Sequence, residues 1–295
     1  MRLAALLLAA GLAAGCAGMD AAMRTATSYA SSKGLISESQ AESLNKSETA
    51  LRRGSQEISE SEEYYIGRAV SAQILARYKP LDDARLNAYL QAVLQTVAGA
   101  SDRPDTYRGY HVQVLDTDEV NAMSAPGGFV FVTKGLLKRV RSEDELACVL
   151  AHEVAHVSKK HGLKTIKASR LTQAFAILGT EAAKSYTPDQ VARLTASFAG
   201  AIDDVVNDLV TKGYSRDKEY EADRFAAEYA RAAGYDPDGL KSFLSRLESE
   251  PGAGGLFKTH PSPASRLARL GDLSAPPGYR RSSVRDRRFA AAMRF

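Results

Sequence analysis

The sequence contains no tryptophan, only two cysteines and only five histidines in 295 residues. Two cysteines, Cys16 and Cys148, cannot form the framework of a disulfide-stapled fold, so we exclude that class. The uncharged stretch 171–180 is too short for a membrane-spanning helix, which needs about 20 apolar residues. What is present is 44% hydrophobic residues, which is enough for the core of a globular domain.

Positive charge is concentrated at one end of the chain. The formal net charge is +4, but residues 280–295 carry six arginines and one aspartate, so everything before them sums to about −1. We predict that residues 273–295 form a basic C-terminal tail in solvent; contact with anionic lipid is the alternative. Nucleic acid is not a predicted partner, because no aromatic-rich basic motif accompanies the arginines.

The N-terminal stretch MRLAALLLAAGLAAGCAG is typical of a secretory signal, with one arginine, a short apolar run and then small residues. Because the run stops at Cys16, it resembles the bacterial lipobox, although Leu12 stands one place upstream of the usual leucine and Ala13 fills its position. We predict a signal peptide over 1–16 and a lipid anchor on Cys16. Plain secretion with an incidental cysteine is the alternative. Cys148 is then predicted to be a buried, inert thiol.

The hydropathy periods predict a mainly α fold with a small β-sheet, which is an α+β class. Residues 17–56 are rich in Ser, Ala, Glu and Lys, and we predict a tether there. Apolar residues recur at helical spacing over 57–79 and 81–99. The period changes to two in YHVQVLD and GFVFVT, which predicts strands, and becomes helical again after Lys134.

The stretch LACVLAHEVAHVSKKHG holds three of the five histidines. Ser142 followed by Glu145 forms a capping box, which predicts a helix through this stretch. On a helix, His152 and His156 point within about 40° of each other, one turn apart. This is the H-E-x-x-H pattern, in which two histidines bind zinc and the glutamate, here Glu153, acts as general base. Histidines on a wet helix face are the alternative, but the surrounding Leu, Val and Ala favour a buried face.

A catalytic zinc takes three protein ligands and keeps one position for water, so a third ligand is required. His161 falls about 180° around the helix from His152, and Gly162 offers a helix stop, so we predict that His161 lies at the surface or behind the ligands. Gly162 also occupies the position of the third metzincin histidine, which excludes that pattern. Glu219 and Asp223 are four residues apart and share a helix face. Spacing alone leaves open whether they serve the metal or form a charged, solvated face.

Four separated motifs resemble one known family. NAMSAPGGFVFVTKGLL, SEDELACVLAHEVAHVSKKHG, SRDKEYEADRFA and THPSPASRLARL occur in this order. Together they resemble the HtpX-like and CAAX-prenyl-protease-like zinc metallopeptidases, and most of all the periplasmic lipoprotein branch. The resemblance covers residues 57–272, which we take as the metallopeptidase domain. It implies a zincin-like core with one zinc ion (Zn2+) per chain, held by His152, His156 and Glu219.

The same resemblance implies roles for three further residues. Asp223 is implied to lie behind the ligands, where it accepts the free N–H of a ligand histidine. His260, which precedes Pro261, is implied to lie near the zinc, where it helps to stabilise the oxyanion or covers the site. Arg266 follows in the same motif and is implied to support the ligands from behind.

The stretch APGGFVFVT predicts a glycine turn followed by a strand beside the active-site helix. Gly127 and Gly128 allow a close backbone approach. Phe129–Val132, which includes Val130 and Phe131, is predicted to be an exposed edge strand that binds an extended substrate through main-chain hydrogen bonds. An ordinary hairpin with a glycine turn is the alternative.

These features predict a zinc metalloendopeptidase that hydrolyses unfolded or misassembled envelope proteins in outer-membrane protein quality control. Its predicted location is the bacterial periplasm, on the outer membrane through the lipid anchor, with unfolded polypeptides and the outer-membrane assembly machinery as partners. A chaperone that binds β-rich clients at the edge strand with little proteolysis is one alternative. A structural metal lipoprotein is another; it needs a fourth protein ligand, and none is evident near the motifs. The sequence does not tell whether residues 164–212 gate the site.

Overall fold

The computed structural model describes residues 28–29, 31–34, 58–165, 203, 205–249, 259–271, 273, 275, 278–279 and 282–295. The chain divides into two compact units, and the larger comprises 58–167 and 199–295. All contacts below lie within the described part of this larger unit. The predicted signal peptide, Cys16, and most of the predicted tether and of 164–212 lie outside the described residues.

The larger unit is mostly helical and contains one small sheet, which confirms the predicted fold class. In chain order its elements are α1 (Glu60–Arg77), α2 (Ala84–Gly99), β1 (His111–Leu115), β2 (Ala122–Ala125), a 3-10 turn (Pro126–Gly128), β3 (Phe129–Thr133), α3 (Lys134–Leu137), α4 (Glu143–Ser158), α5 (His161–Thr165), a π-helical turn (Asp208–Lys212), α6 (Arg216–Ala232), α7 (Asp238–Ser249), α8 (Pro263–Leu267) and α9 (Ser283–Ala292).

Helix α4, which carries H-E-x-x-H, begins where the sequence predicts. The Ser142 hydroxyl accepts a hydrogen bond from the Glu145 N–H at 3.2 Å. The reciprocal half of the predicted capping box is replaced, because the Glu145 carboxylate accepts from the N–H of Arg141 at 2.8 Å and pairs with Arg246 of α7. The start of α4 is therefore tied to α7 as well as capped locally.

The three strands form a sheet in the order β1-β3-β2, with β1 parallel and β2 antiparallel to β3. The prediction that Phe129–Val132 forms an edge strand is therefore wrong, because β3 pairs on both sides and lies at the centre. Val130 and Phe131 have no free main-chain edge, since β1 pairs with them in parallel on the side opposite to β2. The edge strand next to α4 is β2, all four of whose residues are buried.

The core surrounds α4, in which every residue from Glu143 to Val157 is buried. Helices α2, α6 and α7 and strand β2 pack against it. Cys148 lies in this core, as predicted, and burial raises the pKa of its thiol, which keeps it protonated. Among the described residues, none of the helices combines the length and apolar character needed to cross a membrane.

The C-terminal segment folds back onto the domain. Within it, α9 buries Ala292 in the core, and Phe289 and Met293 pack against that core. Arg288 pairs with Glu143 in the first turn of α4. The interpretation of residues 283–292 as a solvated end is therefore wrong. Sequence charge alone suggested it, but the apolar residues between the arginines and the buried acids of α4 hold the helix in place.

Candidate metal centre

Two imidazoles and one carboxylate converge between α4 and α6. The Nε2 atoms of His152 and His156 lie 3.0 Å apart. The two carboxylate oxygens of Glu219 each lie 3.5 Å from one of these nitrogens. All three side chains are at least 96% buried. Helix geometry produces the arrangement, because α4 presents two residues one turn apart and α6 packs along it.

The outward nitrogen of His152 is held by a carboxylate. Its Nδ1 lies 3.0 Å from an Oδ1 of Asp223, and Arg266 donates from Nε to the other oxygen of Asp223 at 2.8 Å. Burial alone would raise the pKa of Asp223, but the Arg266 guanidinium and His152 hold it well below its usual range. An ionised Asp223 accepts the Nδ1–H of His152, which leaves the lone pair of Nε2 facing Glu219.

The carboxylate of Glu219 faces imidazoles but accepts no hydrogen bond in the described structure. Neither of its buried oxygens is hydrogen-bonded within the described part of the chain. Such a carboxylate costs free energy unless a cation or donor satisfies it. The distances measured among the donor atoms of His152, His156 and Glu219 are 3.0 to 3.5 Å. Tetrahedral zinc with bonds of 2.0–2.2 Å separates its ligands by about 3.4 Å, so these residues fit a metal ion of that kind.

His260 is a fourth donor in this group. One ligand atom from each of His152, His156, Glu219 and His260 lies within 4.8 Å of all the others. The Nδ1 of His260 contacts the hydroxyl of Thr259 at 3.0 Å, which directs Nε2 towards Glu219 at 3.7 Å. The expectation that no fourth ligand lies near the motifs is therefore wrong. Spacing could not show it, because His260 lies 41 positions beyond Glu219, whereas the family resemblance implied that His260 lies near the metal.

Glu153 lies next to the two histidines and is almost fully buried. Burial raises the pKa of its carboxyl to about 7, in spite of the opposing effect of neighbouring His152. A carboxyl that titrates near neutrality can both take up and release a proton, as a general acid–base requires. Burial likewise lowers the pKa of His260 to about 4, so its imidazole is neutral and able to bind a cation.

Two small pockets lie on either side of the histidine pair. One has a cavity volume of about 20 Å³ within about 290 Å³ of open space that includes its mouth, and it is lined by Glu153, His152, His260 and Arg266. The rest of its lining is apolar and consists of Ala122, Leu136, Val149, Leu240 and Phe243. The other has about 180 Å³ and lies on the His156 side, against the turn that follows β2. The first pocket is therefore the one that adjoins the candidate acid–base residue.

The outer edge of β2 runs beside the metal centre. Thr133 donates its N–H to the carbonyl of Asn121 at 3.0 Å. In an antiparallel ladder the alternate residues, Ala122 and Ser124, then direct their main-chain groups away from β3. The hydroxyl of Thr259 lies 3.4 Å from the side-chain oxygen of Asn121, so the residue before His260 lies at this edge.

The predicted glycine turn holds the end of β2 against α1. The φ angles of Gly127 and Gly128 are 79° and 102°, which favour glycine. The N–H of Gly127 donates to the buried carboxylate of Glu63 at 3.0 Å, and a Cβ on Gly127 would lie 2.8 Å from the Cα of Tyr64. The close backbone approach expected of these glycines is thus made to α1 by Gly127, and to the carbonyl of Gly109 by Gly128, where a Cβ would lie 2.7 Å from the oxygen.

Sequence reasoning missed two residues around His156, which are Glu221 and Tyr214, and left two positions open for His161. His161 is fully buried, with Nδ1 2.9 Å from the Nδ1 of His156, so it lies behind the ligands and not at the surface. Its other nitrogen contacts Glu221 of α6 at 3.0 Å. The ring of Tyr214 stacks on His156 with centroids 4.6 Å apart. The sequence signal for this cluster was the third histidine, because His161 lies only five residues after His156.

Comparison with known proteins places this architecture. The model of peptidase family M48 matches residues 84–274, about two thirds of the chain. This chain belongs to peptidase family M48. The predicted metallopeptidase family is therefore confirmed, and the M48 match contains all four metal-donor residues together with Glu153 and Asp223. Helices α1 and α9 both lie outside the residues matched by the family model.

Relatives within the M48 family are moderately similar. The chain is 26% identical over 221 residues to the beta-barrel assembly-enhancing protease of Escherichia coli K12, which covers 72% of this chain and 43% of that protein. It is 32% identical over 165 residues to metalloprotease YcaL of the same organism, covering 55% and 61%. It is 28% identical over 186 residues to mitochondrial metalloendopeptidase OMA1 of Schizosaccharomyces pombe, covering 62% and 51%. The chain thus spans less than two thirds of each of these relatives.

Proposed function

We propose that this chain is a zinc-dependent metalloendopeptidase that hydrolyses peptide bonds within unfolded or misassembled envelope proteins. The observation that carries the proposal is the unpartnered, buried carboxylate of Glu219 facing the lone pairs of His152 and His156. These three residues are the proposed ligands, with one zinc ion per chain. Nitrogen and oxygen donors in this number favour zinc among the common divalent ions.

The proposed reaction divides the chemistry between the ion and the side chains. When bound, the zinc supplies Lewis-acid polarisation of the scissile carbonyl and lowers the pKa of a water. Glu153 takes the proton of the attacking water and delivers it to the nitrogen of the leaving amine. Asp223 and Arg266 hold His152 in the tautomer that the reaction needs.

Substrate binding is proposed to use the edge of β2. The outward main-chain groups of Ala122 and Ser124 can pair with an extended polypeptide, which positions the scissile bond and recognises main chain without regard to sequence. This replaces the central strand β3 as the binding edge. Because Glu153 delivers its proton to the leaving amine, the apolar pocket beside it receives the side chain that follows the scissile bond. That pocket favours apolar residues, which unfolded proteins expose.

The cellular role is proposed from the relatives and from the N-terminal motif. Two bacterial relatives are named a beta-barrel assembly-enhancing protease and a metalloprotease. We propose the same setting for this chain, which is outer-membrane protein quality control in the periplasm, with a lipid on Cys16 as anchor and contact with the assembly machinery. Cys16→Ser is expected to release the protein into the soluble periplasmic fraction; retention in the membrane fraction would contradict the anchor.

The test of the peptidase function is Glu153→Gln in the full-length chain. The variant is expected to bind zinc as tightly as wild type, since Glu153 is not a ligand, and to cleave unfolded casein at least 10²-fold more slowly. Chelator is expected to stop wild-type cleavage, and added zinc to restore it. Wild-type cleavage rates in Glu153→Gln, or cleavage in the metal-free protein, would refute the mechanism.

One observation favours a second candidate function, an assembly factor that binds β-rich clients and cuts little. His260 stands at the fourth donor position, where it would hinder the approach of a scissile bond. In cells that lack the wild-type gene, Glu153→Gln distinguishes the two candidates. Outer-membrane assembly supported by Glu153→Gln would make binding the main activity, and its failure would make cleavage the main activity.

A further inference from the structure

His156 is supported from behind by a chain of two side chains. Its Nδ1 lies 2.9 Å from the Nδ1 of His161, and the Nε2 of His161 lies 3.0 Å from a carboxylate oxygen of Glu221. His161 is fully buried, whereas the Glu221 side chain is 41% exposed. This row of hydrogen-bonded side chains therefore leads from the metal centre to the surface of α6.

With His161 neutral, hydrogen-bond chemistry allows one arrangement of protons along these three side chains. A carboxylate only accepts, so the Nε2 of His161 carries the hydrogen that Glu221 accepts. The Nδ1 of His161 then has a lone pair and accepts the Nδ1–H of His156. The Nε2 of His156 is left with its lone pair directed at Glu219, 3.5 Å away. Both ring nitrogens of His161 and the Nδ1 of His156 are then hydrogen-bonded once each, and the tautomer of His156 is the one a metal ion requires.

A local break in the backbone makes the contact. After α4 ends at Ser158, Lys160 adopts a φ of 55°, and a new helix starts at His161. In a continuous helix His161 would point away from His152. The break turns its ring back beneath His156, where Lys218 donates to its carbonyl at 3.3 Å. A non-glycine residue in the left-handed region is strained, so the surrounding contacts hold this turn in place.

We propose that His161 and Glu221 are positioning residues for the metal site. They fix the tautomer and ring orientation of His156, and so they set the affinity of the site for zinc. The two ligand histidines are then supported in parallel ways, His152 by Asp223 directly and His156 by Glu221 through the ring of His161. The inference rests on the proposed function for the identity of the ion, but it concerns metal binding and not cleavage.

The test is the zinc dissociation constant of the full-length chain, measured by competition with a chelator of known affinity. His161→Leu removes the acceptor and keeps an apolar side chain, and it is expected to weaken zinc binding by 10- to 100-fold. His161→Asn places a carbonyl oxygen near the former Nδ1 and is expected to recover most of that loss. The visible spectrum of the cobalt-substituted protein is expected to change in His161→Leu and to stay close to wild type in His161→Asn.

Glu221→Ala tests the contact between His161 and Glu221, which is the outer of the two contacts behind His156. It does not disturb the core, because Glu221 is partly exposed. It is expected to weaken zinc binding, by less than His161→Leu does. Glu228→Ala is the matched control, since Glu228 is an exposed glutamate on the same helix that pairs only with Arg224 within the described residues. Its zinc affinity is expected to equal that of wild type.

Three outcomes would overturn the inference. The first is wild-type zinc affinity in both His161→Leu and Glu221→Ala. The second is equally weak zinc binding by His161→Leu and His161→Asn. The third is an equal loss of zinc affinity in Glu221→Ala and Glu228→Ala. The second would mean that His161 only fills space. Failure of the proposed function is distinguishable, because a wild-type chain that binds zinc but cleaves no polypeptide refutes the peptidase and leaves the affinity series to decide the role of His161.

Discussion

The Nε2 of His260 lies 3.7 Å from the Oε2 of Glu219, which places His260 beside the three proposed zinc ligands. With zinc bound there, His260 would stand at the position that a peptidase keeps for water and substrate. Thr259, which precedes His260, lies at the outer edge of β2, where the substrate is proposed to pair. One displacement of residues 259–260 would therefore free both the metal position and the binding edge.

His260→Ala is expected to raise the rate of cleavage of an unfolded protein by several-fold, because it frees the fourth position. Zinc affinity is expected to fall only slightly, since His152, His156 and Glu219 remain. The measurement is steady-state cleavage of casein together with chelator competition. A loss of cleavage with zinc still bound would instead support the other role implied by the family resemblance, stabilisation of the oxyanion.

The sequence predicted the parts of the site that depend on short-range geometry. His152, Glu153 and His156 follow from the period of one helix, and Ser142 marks where that helix begins. The pairing of Glu219 with them does not follow from spacing, since it depends on how α6 packs along α4; the family resemblance supplied it. In the fold, the same local logic found β1 and β3 but not β2, and it did not give the order of the three strands.

The rest could not be predicted because it depends on a break or a return of the chain. The position of His161 depends on the positive φ of Lys160, which no pattern in the sequence marks. The central position of β3 depends on its parallel pairing with β1, a strand that lies earlier in the chain and is not its neighbour in sequence. The docking of α9 depends on Glu143, a first-turn acid of α4 that the positive end of the helix would stabilise even without a partner on α9.

Arg288→Ala is expected to lower the free energy of unfolding by about 1–2 kcal/mol, because Glu143 is a buried acid that loses a charged partner. The loss stays modest because the Arg288 side chain is half exposed and because Tyr89 still donates to Glu143 at 2.9 Å. Urea unfolding measures the difference. Arg287→Ala, next to it on α9, is the control and is expected to change stability by less than about 0.5 kcal/mol. Equal effects would refute the anchoring role of α9.

Phe243→Leu is expected to change which residue follows the scissile bond. Phe243 lines the apolar pocket beside Glu153, so a smaller side chain leaves room for larger substrate residues. Wild type is expected to cut before aliphatic residues, and the variant to shift towards aromatic ones. The measurement is the mass spectrometry of cleavage sites in a mixture of proteome-derived peptides. Leu247→Val, a buried change on the same helix but outside the pocket lining, is the control and is expected to keep the wild-type profile. An unchanged profile in Phe243→Leu would exclude this pocket from substrate selection.

Gly67→Ala is expected to be destabilising, although Gly→Ala inside a helix ordinarily stabilises by about 0.5–1 kcal/mol. A Cβ on Gly67 would lie 1.8 Å from the carbonyl oxygen of Pro126, so α1 or the turn after β2 must move. We expect a loss of about 1–3 kcal/mol in the free energy of unfolding, measured with urea, and slower cleavage, because Pro126 lines the pocket beside His156. Gly99→Ala is the matched control, since a Cβ at this helical glycine has nothing within 4 Å. It is expected to be neutral or slightly stabilising. A stabilised Gly67→Ala would mean that α1 does not hold the turn against the metal centre.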